Sequence, residues 1–315
     1  MSTEQMTMHE IMERARTTGV VIPAFNVPYL PMIEPVCRAL VDTNTFGQVA
    51  VARLEWIKFR AQSQDAVAQE YAKHASPAHT RLHQDHVPVI DEDGLTVDYR
   101  ADLARALELG YDSIMIDGSR LTLDENIRAT RVICELAHER SVPVEGELGA
   151  VMGHEEGPEL DYEELFASGK GFTDPGEAAR FVQETGVDWL SVAVGSVHGA
   201  ISAAAKDKEK VRARLNIDHL ATIHDVTEIP LVLHGGSGIG IEDLRAAFRN
   251  GIAKINIATD IRQPYERAVA AAAAAAGEAA AGPGSASTAA GREAVYRAVR
   301  EIVDRLGIAG SAATL

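Results

Sequence analysis

The sequence predicts an α/β protein with a (β/α)8 barrel, the TIM-barrel fold, and two observations carry that prediction. Eight short β-rich runs alternate with longer helical patterns along the 315 residues, and strands separated by helices of about 10 to 15 residues indicate parallel βαβ units. Eight such units in succession close most simply into a barrel. A doubly wound open sheet would need a glycine-rich GxGxxG turn after its first strand, and the segment AFNVPYL from Ala24 has none.

The predicted strands and helices follow one another in strict alternation. The strands are VVIPAF from Val20, QVAVAR from Gln48, HTRLHQD from His79, DSIMID from Asp112, VPVEGEL from Val142, DWLSVAV from Asp188, PLVLHG from Pro230 and IAKINIA from Ile252. The helices are predicted over residues 30–41, 57–74, 97–109, 123–139, 175–185, 206–223 and 241–250. We expect a single barrel domain over residues 1–315, with an N-terminal helix and extra C-terminal helices.

Two segments do not fit the repeat. Residues 149–174 form a long connection rich in glycine and acidic residues after the fifth strand, and connections of this length are usually functional lids or disordered segments. Residues 268–290 are rich in alanine and glycine and predict the end of a helix, a flexible segment and then an amphipathic helix from Arg292 to Leu306. Packing or oligomerisation explains this second segment better than a catalytic role does. We expect a homo-oligomer, either a dimer or a tetramer.

Composition and charge exclude several classes of protein. The chain is 46% hydrophobic and 24% charged, which is ordinary for a globular protein and excludes a disordered or fibrous one. Its net charge of -16 opposes binding to nucleic acids and to anionic membranes. The opening residues lack an apolar signal sequence, no run is long enough to span a membrane, and only Cys37 and Cys134 carry thiols. We therefore expect a cytoplasmic protein without disulfides that acts on a small molecule.

Three histidines stand at or just past the ends of predicted strands. His86, His198 and His234 follow strands three, six and seven, and the carboxyl ends of the strands carry the active site of a TIM barrel. Each histidine alone is more often structural than functional, but three imidazoles converging at one rim are hard to explain without a metal. Three protein ligands with an open position are the arrangement of catalytic zinc. The sequence therefore predicts a zinc site, whereas His83, deeper in its strand, is expected to serve the core.

Acidic residues accompany these histidines at the predicted rim. Asp85 precedes His86, and adjacent residues of a regular strand face opposite ways, so both can serve one site only if the chain leaves strand geometry there. Asp85 is then either a catalytic group or a partner that orients an imidazole. The fifth strand carries Glu145 and Glu147 on one face. Glu147 either reaches the metal or forms a buried structural salt bridge.

The long connection carries a second acidic group. His154, Glu155 and Glu156 stand there between glycines. A mobile loop that brings a carboxylate over a metal site can supply a general base together with the substrate. The alternative is a solvated acidic loop tip.

An anion site is predicted at the last two strands. The seventh strand continues as HGGSG, residues 234–238, directly before a helix at Ile241, and the eighth ends as NIAT, residues 256–259. Glycines let backbone N–H groups approach an anion, and the adjacent helix N-terminus adds a partial positive charge. Phosphate sites recur at these two loops of TIM barrels, which explains how an acidic protein could hold an anionic substrate.

A series of short motifs runs along nearly the whole chain. In order they are AFNV from Ala24, HQDH from His83, SIMIDGS from Ser113, ENIRAT from Glu125, VEGELG from Val144, VGSVHG from Val194, LVLHGGSG from Leu231, KINIAT from Lys254 and GIAGSA from Gly307. Together they resemble the metal-dependent class II fructose- and tagatose-bisphosphate aldolase family. The ordered set is highly specific for that family and much less specific for the substrate. It implies a TIM barrel and a ketose phosphate aldolase, which is a carbon-carbon lyase of the aldehyde-lyase class.

The resemblance also implies a role for individual residues. The zinc ligands would be His86, His198 and His234, and a second, structural or monovalent cation stays open. Asp85 would donate a proton to the acceptor carbonyl, and Glu156, with Glu155 as the alternative, would remove the proton of the donor. Dihydroxyacetone phosphate would be held by Asn26, Gly199, Gly235, Gly236, Ser237, Asn256, Ile257, Ala258 and Thr259. A Lewis acid stabilises the enediolate left when a carbon-carbon bond beside a ketone is cleaved, so no lysine Schiff base is needed.

The chain departs from the family pattern after the second strand. Where the family usually carries glutamine or serine with glycines near the donor phosphate, this sequence has Arg53, Leu54 and Glu55. Arg53 either supplies a replacement cation that binds a second anionic group of the substrate or pairs with Glu55. Ser202 replaces a frequent lysine, and Ala258 resembles the tagatose-type pattern more than the fructose-type. We therefore expect fructose 1,6-bisphosphate to be a poor substrate.

The leading hypothesis is a zinc-dependent aldolase that acts on a ketose phosphate through dihydroxyacetone phosphate or a close relative. One alternative is a metal-dependent lyase of the same superfamily that acts on a modified-sugar donor. Another is a non-catalytic homologue that binds sugar phosphates. Retention of Asp85 and of the loop acids argues against the last, because binding alone does not require them.

Overall fold

The computed structural model describes residues 2–149, 166–196, 213–236, 238–276 and 285–315. Eight parallel strands form a closed barrel in sequence order, and the last strand pairs with the first. The strands are β1 Ile22–Asn26, β2 Gly47–Ala52, β3 Thr80–Pro88, β4 Ser113–Asp117, β5 Val144–Leu148, β6 Trp189–Val192, β7 Leu231–Leu233 and β8 Ile252–Ile257. The predicted (β/α)8 fold is confirmed.

Helices follow the strands and occupy both ends of the chain. Within the described residues they are α1 Met8–Thr18, α2 Ile33–Asp42, α3 Arg53–Ile57, α4 Gln64–Ala72, α5 Tyr99–Glu108, α6 Leu123–His138, α7 Pro175–Thr185, α8 Ile217–Thr227, α9 Ile241–Phe248, α10 Thr259–Ala276 and α11 Ala286–Leu306. The N-terminal helix and the additional C-terminal helices match the prediction. None of the described helices is long and apolar enough to cross a membrane.

The prediction of a single helix over residues 57–74 is wrong. The structure has two short helices there, α3 and α4, with an irregular stretch between them. Gln62 has a left-handed φ of 68°, which is incompatible with a continuing helix. Ser63 then starts α4 by accepting a hydrogen bond from the backbone N–H of Ala66.

Two other helices begin at different residues than predicted. The amphipathic C-terminal helix begins six residues before Arg292, because Ser285 caps it there. In the region predicted as a helix over residues 206–223, the described part is α8, which starts after the capping side chain of Asn216. Residues 206–212 lie outside the described part of the chain.

Apolar residues close the amino-terminal end of the barrel. Met8, Ile11 and Met12 of α1 pack against buried side chains at the starts of the strands, among them Ile22 and Trp189. The strands themselves are buried almost throughout, since helices cover the outside of the barrel and side chains fill its inside. Buried polar side chains also lie within the barrel, among them Gln48, His83 and Lys254.

The C-terminal helices pack on each other and on one side of the barrel. Helix α11 contacts both α10 and α2. At Gly291, a Cβ atom would lie 2.7 Å from the ring of Tyr265, so only glycine permits this close approach. Residues 277–284, at the centre of the segment predicted to be flexible, lie outside the described residues.

Candidate active site

The carboxyl end of β3 departs from regular strand geometry. The register between β3 and β4 shifts between Gln84 and Val87, and His86 has a φ of 21°, which is uncommon for a residue other than glycine. Ligand atoms of Asp85, His86 and His234 consequently lie within 4.8 Å of one another. The shift is the departure from regular strand geometry that the adjacent residues Asp85 and His86 need in order to face one site.

Two imidazoles face each other at this irregularity. His234 directly follows β7, and its Nδ1 lies 2.7 Å from Nε2 of His86, with the two rings at 84°. Two imidazole nitrogens bound to one tetrahedral Zn2+ stand about 3.3 Å apart. A small opening of the pair would admit the ion, so the structure brings together two of the three predicted zinc ligands.

Carboxylates surround His86. Its Nδ1 lies 3.2 Å from Oδ2 of Asp117 and 3.4 Å from Oε2 of Glu147. Burial by itself would lower the pKa of His86, but the charge of Asp85 and of these two carboxylates holds that pKa well above its usual value. The surroundings of the ring thus favour a positive charge, which a metal cation would supply.

Glu147 has the properties of a cation ligand. Its Oε2 is buried and, although it lies 3.4 Å from Nδ1 of His86, has no hydrogen-bond partner among the described residues, which is costly for a buried carboxylate oxygen. Burial, and then the neighbouring Asp117, raises the pKa of Glu147 well above its ordinary value, and a bound cation would reverse that shift. Imidazole nitrogens with a carboxylate oxygen beside them suit Zn2+.

Asp85 is held in place by two amide groups. Asn26 at the end of β1 and Asn256 near the end of β8 donate from Nδ2 to its two carboxylate oxygens, at 2.7 Å and 2.9 Å. Asp85 is buried, and burial would raise its pKa, but the charge of His86 and the ring of His83, whose Nε2 lies 3.6 Å from Oδ1, outweigh it and hold the pKa well below its ordinary value. Asp85 is therefore an ionised carboxylate in a fixed orientation.

A chain of buried polar residues lies deeper in the barrel. Lys254 donates to Oε2 of Glu145 at 2.6 Å, and Oε1 of Glu145 lies 2.8 Å from Nε2 of His234. The indole N–H of Trp189 also donates to Glu145, and Nε2 of His83 lies 3.1 Å from the amino group of Lys254. Glu145 is thus the carboxylate that orients the ring of His234, and His83 serves the barrel interior as a polar partner rather than as an apolar packing residue.

Lys254 and Asp117 were not among the predicted site residues. Lys254 stands among apolar residues in β8 and is fully buried. A buried lysine is rare unless it is paired, so a lysine in an apolar strand could have indicated a buried ion pair. Asp117 ends β4 at the same rim as the histidines. Only the closure of the barrel shows that its carboxylate reaches His86.

Arg53 does not pair with Glu55, and that alternative is wrong. The Arg53 guanidinium lies 3.1 Å from a carboxylate oxygen of Asp102 and 3.7 Å from one of Asp91. Glu55 instead turns back to accept a hydrogen bond from the backbone N–H of Ala52 at 2.8 Å, which caps α3.

The predicted anion site at β7 and β8 is partly described. Gly235 has a left-handed φ of 69°, and a Cβ atom on Gly236 would lie 2.5 Å from the side chain of Ile255, so both positions require glycine. Helix α10 begins at Thr259, directly after β8, and its first N–H groups lack partners within the helix. These features suit an anion.

Several predicted site residues lie outside the described part of the chain. They are the metal ligand His198, the loop acids Glu155 and Glu156, and the substrate-binding residues Gly199 and Ser237.

Comparison with known proteins gives one family. The family model described as fructose-bisphosphate aldolase class-II matches residues 6–311. The YdjI aldolase from Escherichia coli K12 is 26% identical, with a TM-score of 0.73, over 96% of this chain and 98% of that one. A Coccidioides immitis protein provisionally assigned as a fructose-1,6-bisphosphate aldolase is 25% identical, with a TM-score of 0.75, over 97% and 98%.

A third structure, the fructose-bisphosphate aldolase Fba from Campylobacter jejuni, shares the fold at 20% identity and a TM-score of 0.71, over 98% of this chain and 96% of that one. The match of the family model covers the barrel, its rim and the C-terminal helices. The chain therefore belongs to the class II fructose-bisphosphate aldolase family and is a lyase of the aldolase type.

Proposed function

We propose that the protein is a zinc-dependent aldolase that cleaves or forms a ketose phosphate through dihydroxyacetone phosphate or a close analogue. The convergence of His86, His234 and Asp85 at the carboxyl end of the barrel carries this proposal. Zn2+ would be held by His86 and His234, with His198 as the third ligand. When bound, the ion supplies the Lewis acid that stabilises the enediolate of the donor.

Asp85 has the protonation state that cleavage requires. In that direction a base must accept the proton of the hydroxyl whose carbon becomes the aldehyde, and the low pKa of Asp85 keeps it ionised. The amides of Asn26 and Asn256 fix the direction of its lone pairs. In the condensation direction the same carboxyl returns the proton to the acceptor carbonyl.

The donor proton needs a second base. We propose Glu156 for this step, with Glu155 as the alternative, on the basis of their place in the glycine-flanked acidic connection.

The donor phosphate is proposed to bind at the ends of β7 and β8. The glycine positions after β7 and the start of α10 support this subsite, because backbone N–H groups there can approach an anion. The residues proposed to contribute are Asn26, Gly199, Gly235, Gly236, Ser237, Asn256, Ile257, Ala258 and Thr259.

A second cation is proposed next to the first. Ligand atoms of His86, Asp117 and Glu147 lie within 4.8 Å of one another. This cluster supports a structural or monovalent cation beside the zinc, since two carboxylates flank one imidazole there.

We also propose a cytoplasmic homo-oligomer. Cys37 and Cys134 are buried free thiols, and burial raises the pKa of each to about 12. They are therefore protonated and inert, which suits a reducing compartment. The C-terminal segment, which the barrel itself does not require, supports oligomerisation.

The test is an assay of purified, metal-analysed protein against a panel of ketose 1-phosphates, ketose 1,6-bisphosphates and sugar-acid phosphates. Enzymatic detection of the released aldehyde is the readout, and the unphosphorylated ketoses are the matched controls. We expect cleavage of at least one ketose phosphate and none of the controls. Metal-replete protein that cleaves only sugar-acid phosphates would establish the modified-sugar alternative, and protein that cleaves nothing would contradict the proposal.

A further inference from the structure

Two sequence motifs meet behind the rim of the barrel. The motif SIMIDGS consists of β4 and the two residues after it, and the motif ENIRAT lies in the first turns of α6. Asn126 and Thr130 of the second motif are both buried, although asparagine and threonine are mostly exposed in proteins. Because buried polar groups need hydrogen-bond partners, their contacts indicate what the motif does.

The side chain of Asn126 joins α6 to the end of β5. Its Nδ2 donates to the backbone carbonyl of Glu147 at 2.9 Å, and its Oδ1 accepts from the hydroxyl of Thr130 at 3.1 Å. A carbonyl oxygen can only accept, so it determines which end of the amide faces it. Thr130 holds the other end, and the amide is thereby fixed in one orientation.

Asn126 also contacts the end of β4. The paired register of β4 and β5 ends at Ile116 and Gly146, one residue before the carboxylates at the rim. At Gly118, directly after β4, a Cβ atom would lie 2.1 Å from Oδ1 of Asn126, so only glycine permits this approach. The amide thus connects the two strands where their backbone pairing stops.

The two carboxylates carried by these strand ends are held differently. Asp117 on β4 accepts from the hydroxyl and the backbone N–H of Ser119 at 2.6 Å and 3.0 Å, and both bonds go to Oδ1. Its Oδ2 is left facing Nδ1 of His86 at 3.2 Å. Glu147 on β5 has no hydrogen bond at Oε2 among the described residues. The placement of that oxygen therefore depends on the backbone of β5, which Asn126 holds.

The position of Glu147 bears on the metal site through His86. Its Oε2 lies 3.4 Å from Nδ1 of His86, and Nε2 on the other side of the ring faces His234, where zinc is proposed to bind. A negative charge behind a ligand imidazole attracts a bound cation, because charges in a buried site are poorly screened. Groups that orient a metal ligand in this way commonly change metal affinity by about 10- to 100-fold.

We propose that Asn126 is a positioning residue of the zinc site. Its amide fixes the end of β5 against the end of β4 and so holds the Glu147 carboxylate at the Nδ1 side of the His86 ring. Asn126 touches neither the metal nor the substrate and acts only through Glu147. This inference rests on the proposed function, because it takes His86 to be a zinc ligand.

The experiment measures metal binding in the wild-type, Asn126→Ala, Thr130→Val and Thr130→Ser proteins. Competition with a chelator gives the zinc dissociation constant. The visible spectrum of the Co2+-substituted protein reports ligand geometry, which d10 Zn2+ cannot do. We expect Asn126→Ala to bind zinc about 10-fold or more weakly and to shift the Co2+ bands. Thr130→Val should weaken binding by a smaller factor, whereas Thr130→Ser keeps the hydroxyl and should match the wild-type protein.

Thr185→Val is the matched control for a general loss of stability. Thr185 is also buried, and its hydroxyl donates to the backbone carbonyl of Phe181 at 2.7 Å. It ends α7 shortly before β6 begins, at the opposite end of the barrel from the rim. Denaturant unfolding compares the stability of all variants, and we expect this one to keep wild-type zinc affinity. Equal weakening of zinc binding in Thr185→Val would overturn the role of Asn126.

These measurements need no substrate, so they separate the inference from the proposed reaction. Weaker zinc binding in Asn126→Ala supports the inference even if no ketose phosphate is cleaved, in which case only the proposed reaction fails. Unchanged affinity and Co2+ bands would overturn the inference while aldehyde release leaves the proposed function intact. If Asn126→Ala does not fold, equal zinc affinity in Thr130→Val and Thr130→Ser overturns it. Wild-type protein that binds no zinc would contradict both.

Discussion

Two groups of buried charges in the same barrel differ in how they are balanced. In the interior, Lys254 offsets Glu145, which also receives the indole N–H of Trp189. At the rim, His86 is flanked by Asp117 and Glu147, and one oxygen of Glu147 has no hydrogen bond among the described residues. The interior acid is matched by a lysine, whereas the rim group of described residues sets two carboxyl groups against one imidazole.

This difference separates a structural role from a functional one. A buried acid that is paired with a lysine needs no bound cation, and its hydrogen bonds hold the side chains of the barrel interior in one arrangement. An uncompensated cluster at the carboxyl ends of the strands favours a cation. The two groups meet at His234, whose Nε2 faces Glu145 and whose Nδ1 faces His86. Glu145 of the interior group therefore orients the His234 ring, and the other nitrogen of that ring lies at the proposed metal site.

The largest effect is expected from His234→Ala, which removes the residue that joins the two groups. We expect the variant to lose bound zinc and aldolase activity together, because a zinc site with an open position has only three protein ligands. Metal analysis and aldehyde release measure the two losses. His138→Ala, an exposed histidine at the far end of the barrel, should keep both. Near-stoichiometric zinc in His234→Ala would reject the ligand assignment.

Lys254→Met tests the compensated group. Removing one partner of a buried pair leaves an uncompensated charge, so we expect the free energy of unfolding to fall by about 3 to 5 kcal/mol. Lys73→Met breaks an exposed pair with Glu70 and should change stability by less than about 1 kcal/mol. Denaturant unfolding measures both. A loss in Lys254→Met no larger than the control would show that the interior pair is not structural.

Asp85→Asn tests the rim without removing a proposed metal ligand. The amide cannot accept a proton, so we expect kcat to fall by about 100-fold or more while zinc content stays that of the wild-type protein. Metal analysis beside single-turnover cleavage separates the two properties. Wild-type turnover in the zinc-replete variant would leave Asp85 as an orienting partner only.

Glu55 is expected to make stability depend on pH. Its pKa is about 8 in the folded protein against an ordinary value of 4.5, so the folded state binds the proton more tightly. Its stabilising contribution is complete below about pH 4.5 and is lost as the pH rises through about 8. The charges of Asp85 and His86 also act on the pKa of Glu55, and both residues are retained in the comparison variant, Glu55→Gln.

We therefore expect the unfolding free energy of the wild-type protein, relative to Glu55→Gln, to fall by about 1 to 3 kcal/mol between pH 5 and pH 8.5. Denaturant unfolding of both proteins at several pH values measures the difference, in which the titration of the other groups largely cancels. A difference independent of pH would mean that Glu55 is already ionised at pH 5.

Local patterns in the sequence were enough to predict the barrel and part of the site. The alternation of strands and helices repeats along the chain, and the strand ends of a closed barrel must meet at one rim. That reasoning placed His86 and His234 together, and the adjacency of Asp85 and His86 required the irregularity that the structure has in β3.

Pairings between distant residues could not be predicted in this way. Lys254 and Glu145 are 109 positions apart, and nothing in either strand specifies the partner. Arg53 stands two residues from Glu55 in sequence, yet in the structure it reaches Asp102 and Asp91 because the turn into α3 directs the two side chains apart. The break between α3 and α4 depends on the left-handed Gln62, a residue type that gives no such signal.

Zinc titration tests the central claim most directly. Protein stripped of metal by a chelator is titrated with Zn2+ while aldehyde release from a ketose 1-phosphate is followed. The rim geometry predicts that activity is absent at first, rises in proportion to added zinc and saturates near one ion per chain in the catalytic site. Full activity in the stripped protein, or stoichiometric zinc binding without aldehyde release from any ketose phosphate, would contradict it.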